Sequence, residues 1–90
     1  MFPFLEERID SFVRRRTFDS CTSHEELIWH RDKNDRILRV ISGNGWCIQF
    51  DDELPIDLVP GSKHNISAEI WHRLIKRNVS DDLIVEIIES

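Results

Sequence analysis

Short apolar runs separated by turn residues dominate the chain after residue 27. The runs lie at 27–29, 36–41, 46–50, 54–58, 70–75 and 83–88. Residues 42–45, with the sequence Ser-Gly-Asn-Gly, and the pair Pro60-Gly61 end two of them, as turns between strands do. No segment between the runs is long enough for the crossover helix of a parallel sheet. The pattern predicts six or seven short antiparallel strands in an all-β sandwich or barrel.

The first part of the chain is compatible with two local structures. Leu5, Ile9, Phe12 and Val13 share one face of a helix drawn over residues 4–16. Residues 12–18 are also rich in residues that favour strands. A short N-terminal helix and a strand both remain open at this point.

The run at 36–41 has two partly apolar faces. Side chains alternate between the faces of a strand, so Arg36, Leu38 and Val40 share one face. Ile37 and Ile41 lie on the other face. A strand that is partly apolar on both sides indicates that its outer face is also covered, for which a second subunit is the expected partner.

Length and charge limit the function classes. The 90 residues suffice for one domain, which we place at residues 1–90. A net charge of −5 argues against a nucleic-acid partner. No apolar run approaches the roughly 20 residues of a membrane span, and charged residues at positions 6–8 and 10 interrupt any signal peptide. We therefore expect no membrane partner, a cytoplasmic location and free thiols at Cys21 and Cys47.

Two segments carry histidines at a recognisable spacing. In the second segment, Gly61 and His72 have the spacing of the Gly and the His in a known motif. The same motif also has Pro, Gly and Asn, and this chain has Ser67, Glu69 and Lys76 at those positions. That motif is the second motif of the cupin superfamily, which the chain resembles. The resemblance implies a small jelly-roll, or double-stranded β-helix, barrel over about residues 27–88, and cupins commonly form homodimers.

The first segment resembles the first cupin motif. His30 and Gly43 match its first and last positions, whereas Asp32 and Arg36 replace its second His and its Glu. The segments 29–32 and 50–55 together also resemble short uncharacterised cupin-like proteins of marine tailed phages. That second resemblance supplies no activity.

The resemblance implies a pocket formed by His30, Asp32, Arg36 and His72. Two histidines and one carboxylate form the facial triad of non-haem iron enzymes. His30, Asp32 and His72 are therefore the candidate ligands of one divalent transition metal, such as Fe, Mn, Ni or Zn. Each of these histidines lies in a Trp-His-Arg tripeptide. Because side chains alternate along a strand, histidines that face inward would place the preceding Trp29 and Trp71 on the outside.

Arg36 argues against a functional metal site. Its guanidinium stays charged and cannot coordinate a metal, and two like charges about 4 Å apart cost about 4 kcal/mol at an effective dielectric constant of 20. Asp32 would then pair with Arg36. The charge of Arg36 therefore favours a degenerate metal site whose pocket binds an unknown small molecule or anion, with no catalytic residue assigned. The alternatives are a metal-dependent dioxygenase or isomerase and a non-catalytic homo-oligomeric interaction module.

Overall fold

Five of the six predicted apolar runs contain a strand, whereas the run at 27–29 contains none and the strand Lys63–Ile66 lies outside all of them. The computed structural model describes residues 3–79 and 81–89, and eight strands lie in this part of the chain. They are β1 (Phe4–Arg8), β2 (Val13–Phe18), β3 (Arg36–Ser42), β4 (Trp46–Phe50), β5 (Ile56–Asp57), β6 (Lys63–Ile66), β7 (His72–Lys76) and β8 (Leu83–Glu89).

The strands form two antiparallel sheets. The larger sheet has the order β1-β2-β8-β3-β6 and the smaller has the order β5-β4-β7. β1 and β2 are consecutive in the chain, whereas the other neighbours in the larger sheet are distant in sequence, with β8 between β2 and β3. The predicted all-β barrel of antiparallel strands is confirmed. Among the described residues, no helix is both long enough and apolar enough to cross a membrane.

The alternative of an N-terminal helix is wrong. β1 and β2 pair antiparallel, and β2 continues the sheet beside β8. The side chains of Leu5 and Phe12, which a helix would have placed on a packed face, are exposed. Pairing with β8 gives the backbone of β2 its hydrogen-bond partners and brings Phe18 into the core. These long-range contacts outweigh the helical spacing.

The apolar run at 27–29 does not form the predicted strand. A short 3-10 helix, His24–Glu26, precedes it, and Leu27 is buried while Ile28 is exposed. The next residue, His30, makes an isolated bridge to His72, with both backbone N–H groups donating across the pair at 3.0 and 2.9 Å. Within the described residues, this single bridge stands where the sequence predicted a strand.

The core lies between the two sheets and leaves a cavity at one end. Along β3, Val40 is sealed in the core, whereas Arg36 lines the cavity. Along β4, Trp46 is likewise sealed, and Ile48 forms part of the cavity wall. Ile37, on the opposite face of β3, is exposed as the alternation predicts. The inward-facing residues at one end of these two strands therefore line the same cavity.

Candidate functional site

The cavity between the sheets combines apolar walls with one polar cluster. Its volume is about 450 Å³. The apolar wall residues include Phe18, Leu38, Ile48, Leu74, Val85 and Ile87. The cluster contains the four residues that the sequence placed in the pocket, His30, Asp32, Arg36 and His72. The structure therefore brings both motif segments to the same cavity.

The two histidines are brought together by the pairing of two segments that have identical sequences and lie far apart in the chain. The sequence Ile-Trp-His-Arg occurs at 28–31 and again at 70–73, and the two copies meet in antiparallel fashion at the bridge between His30 and His72. The imidazole ring centroids lie 4.3 Å apart. The sequence analysis placed both histidines in one pocket, but it did not predict that the two copies pair directly through their backbones.

The residues beside the histidines face away from the cavity. Trp29 and Trp71 are about two-fifths exposed, at 38% and 42%. The guanidinium of Arg73 lies 4.6 Å from the ring centroid of Trp29, and that of Arg31 lies 5.1 Å from the ring of Trp71. Each cation–π contact joins an arginine of one segment to the tryptophan of the other and so stabilises the side of the paired segments that faces away from the cavity. These contacts support a structural role for both tryptophans.

Both imidazoles are oriented by the same hydrogen bond. Nδ1 of His30 lies 3.1 Å from the carbonyl oxygen of Ile28, and Nδ1 of His72 lies 2.9 Å from that of Ile70. A carbonyl oxygen can only accept, so Nδ1 carries the proton in each ring. In the neutral rings, Nε2 therefore carries a free lone pair, as in histidines that ligate metals.

Asp32 faces the unprotonated nitrogen of His72. Its Oδ2 lies 3.4 Å from His72 Nε2, so two acceptors oppose each other when the imidazole is neutral. A proton or a metal cation between them would remove this conflict. Burial is the largest effect on the pKa of His72 and lowers it from its ordinary value, against a smaller opposite effect of the Ile70 carbonyl. The buried site thus disfavours the proton.

Arg36 has two carboxylate partners. Its Nη1 lies 3.3 Å from Asp32 Oδ1, as the sequence predicted, and its Nη2 lies 2.8 Å from Glu89 Oε1. Sequence reasoning missed Glu89, which stands opposite Arg36 in the register of β3 and β8. The Glu89 carboxylate offsets the positive charge of Arg36, which otherwise stands uncompensated against a metal beside Asp32.

The donor set fits a transition metal. One ligand atom from each of His30, Asp32 and His72 lies within 4.8 Å of the others. Two atoms that each bind one ion at about 2.1 Å are at most about 4.2 Å apart, so shifts below about an ångström would suffice. Two imidazoles and one carboxylate are a set that Fe(II) and related divalent metals accept.

Comparisons with known proteins define the fold. No protein-family model and no curated protein matches the chain. A cupin with a double-stranded β-helix from Methanocaldococcus jannaschii has a TM-score of 0.75 at 13% identity, with 100% of this chain and 82% of that chain covered. A cupin-2 domain protein from Shewanella frigidimarina has a TM-score of 0.67 at 20% identity, with 96% and 78% covered.

A third similar structure is an iron enzyme complex. The structure of Fe(II) HppE with its substrate has a TM-score of 0.68 at 8% identity and covers 98% of this chain. This chain spans about half of that protein, 53% of its length. Together with the two-sheet architecture, the comparisons show that the chain has the cupin fold, a double-stranded β-helix, with a His-Asp-His cluster in its cavity.

Proposed function

We propose that the protein binds one divalent transition metal through His30, Asp32 and His72 and holds a small, largely apolar molecule beside it. One observation carries this proposal: the lone pair of His72 Nε2 faces the Asp32 carboxylate at 3.4 Å, with Nδ1 committed to a backbone carbonyl. Two acceptors in this arrangement are stabilised by a cation that both can bind.

The cavity supports the second half of the proposal. Apolar side chains such as Leu38, Leu74 and Ile87 form much of its wall, and its volume of about 450 Å³ is within the range of small-molecule sites. The guanidinium of Arg36 is already bound by two carboxylates. An organic anion would compete with those partners, so an apolar molecule with one polar end is the favoured ligand class.

Three protein ligands leave coordination positions free for such a molecule. A metal there would supply Lewis-acid or redox chemistry, and the second candidate function is a metal-dependent enzyme of the dioxygenase or isomerase type. His30 and His72 would hold the metal, Asp32 would add the charge, and the apolar wall would orient the molecule and exclude water. The likeness to the Fe(II) HppE complex supports this alternative at the level of fold.

Native mass spectrometry of freshly purified protein tests the main proposal. We expect one Fe, Mn, Ni or Zn ion for each chain, and loss of that ion in His72→Ala. His64→Ala is the matched control, because His64 is also partly buried but lies outside the cluster. Wild-type protein that carries no metal after incubation with each of these ions would refute the proposal.

The outer face of the larger sheet supports a separate candidate, a homodimer. Ile37 and Ile41 are 38% and 40% exposed on the side of β3 that faces away from the core, and a second copy of the chain would cover them. Light scattering of the wild type and of Ile37→Lys tests this candidate. We expect a dimer that the variant converts to a monomer, whereas a monomeric wild type would exclude it.

A further inference from the structure

We propose that Glu89 is a positioning residue of the metal site, which neutralises Arg36 so that Asp32 can ligate a cation. This inference rests on the proposed function. Arg36 stands beside the ligand Asp32, and a positive charge there would weaken metal binding. Glu89 provides the compensating charge from the neighbouring strand.

The distances show which carboxylate holds the guanidinium. Glu89 Oε1 lies 2.8 Å from Arg36 Nη2, within the range of a charge-assisted hydrogen bond. Asp32 Oδ1 lies 3.3 Å from Nη1, and the other oxygen of Asp32 is directed at His72. Arg36 is therefore bound more closely to Glu89, and Asp32 keeps one oxygen for the histidine side of the cluster.

The fold fixes Glu89 in this position. Arg36 and Glu89 are direct partners in the antiparallel register of β3 and β8. The backbone N–H of Glu89 also donates to the carbonyl oxygen of Phe12 at 2.9 Å, so the strand is held on both sides. Formation of the ion pair therefore needs only the ordering of two side chains.

The charges of the cluster favour a cation only when Glu89 is included. Asp32 and Glu89 each contribute −1 and Arg36 contributes +1, so these three side chains together carry a net charge of −1. Without the charge of Glu89 the sum is zero, and Arg36 retains Asp32 as its only close carboxylate partner in the described part of the chain. The cluster is then an internally neutral pair with less attraction for a metal ion.

A double-mutant cycle measures this effect with Co²⁺ alone as the probe, in competition with a chelator of known affinity. We expect Glu89→Gln to weaken Co²⁺ binding about 10- to 100-fold, the range found for residues that support metal ligands. Arg36→Met should bind at least as tightly as the wild type. The double variant Arg36→Met/Glu89→Gln should recover affinity close to that of the wild type, since its cluster again carries −1.

Recovery of Co²⁺ affinity in the double variant distinguishes charge compensation from a structural role. If Glu89 acted only by joining β8 to β3, removal of Arg36 as well would not restore the affinity. Glu7→Gln removes a carboxylate from an exposed position and controls for net charge. Should Arg36→Met fail to fold, Glu89→Asp replaces the cycle and should keep most of the affinity.

Three results would overturn the inference. The first is a Glu89→Gln affinity equal to that of the wild type. The second is a double variant as weak as Glu89→Gln, or a Glu89→Asp variant as weak where the cycle is replaced. The third is a wild type that binds no Co²⁺ and no other ion tested, in which case the proposed function falls as well. The first two results leave the proposed function intact.

Discussion

His30 and His72 donate backbone hydrogen bonds to each other, at 3.0 and 2.9 Å, and their rings lie 4.3 Å apart. This single bridge joins a segment outside any strand to the start of β7. Each Nδ1 is hydrogen-bonded to the carbonyl two residues earlier, and in His72 this bond leaves Nε2 facing Asp32. The local backbone therefore determines the chemistry that the site can perform.

The turn after β3 requires glycine for reasons of space as well as conformation. Gly43 has a φ of +122°, and a Cβ there would lie 2.8 Å from the carbonyl oxygen of Asp82. Gly61 has a φ of +90° with no atom within 4 Å of such a Cβ. We expect Gly43→Ala to lower the free energy of unfolding by more than the roughly 1–2 kcal/mol that left-handed backbone alone costs an alanine.

Urea denaturation of the two alanine variants measures the difference. Gly61→Ala serves as the control, since it tests the conformational cost without a clash. Equal losses in both variants would show that the contact with Asp82 relaxes freely and would contradict the close packing described for this turn.

The buried His72 and the partly buried His64 make stability depend on pH. Burial lowers the pKa of His72 and of His64 below the ordinary value of 6.5. Below that value the unfolded chain takes up protons before the folded protein does, so the free energy of unfolding falls with pH. We expect chelator-treated protein to lose stability from about pH 6.5 down to the lower pKa values of the folded state.

Chemical denaturation at pH 7.5 and pH 5.0 gives this dependence directly. His72→Gln and His64→Gln should each reduce the difference between the two pH values. His24→Gln, at an exposed position, is the control for the substitution itself. A wild type that gains stability on acidification would contradict the effect of burial on the histidine pKa values.

The two thiols should differ sharply in reactivity. Cys21 is exposed, whereas Cys47 is buried in β4. Burial raises the pKa of Cys47, and its hydrogen bond to Asp57 acts in the same direction, so little thiolate forms. We expect iodoacetamide at pH 7.5 to modify one thiol rapidly in the native protein and the second only after denaturation.

The variant Cys21→Ser identifies the reactive thiol by mass spectrometry. It should show no rapid modification under native conditions. Rapid labelling of Cys47 in this variant would mean that β4 is accessible to the reagent and would be inconsistent with its place in the core.

The fold class follows from the sequence because its signals are local. The apolar, β-branched run at 36–41 and the glycine-containing turn after it specify a strand and its end without reference to the rest of the chain. The N-terminal segment could not be assigned in this way. Its helical spacing and its strand-forming residues compete, and pairing with the distant β8 decides between them.

The site was predicted in part for the same reason. The motif spacing identified His30, Asp32, Arg36 and His72, and the structure brings all four to one cavity. Glu89 was missed because its role depends on the register between β3 and β8. A shift of one residue would turn its side chain to the other face, and no local pattern fixes that register.

X-ray absorption spectroscopy of the metal-loaded protein tests most directly whether both histidines and Asp32 share one ion. With zinc, we expect a first shell of nitrogen and oxygen with the scattering of two imidazoles, reduced to one or lost in His72→Ala. A zinc spectrum without imidazole scattering, or one that His72→Ala leaves unchanged, would contradict the assignment of His30, Asp32 and His72 as a metal site.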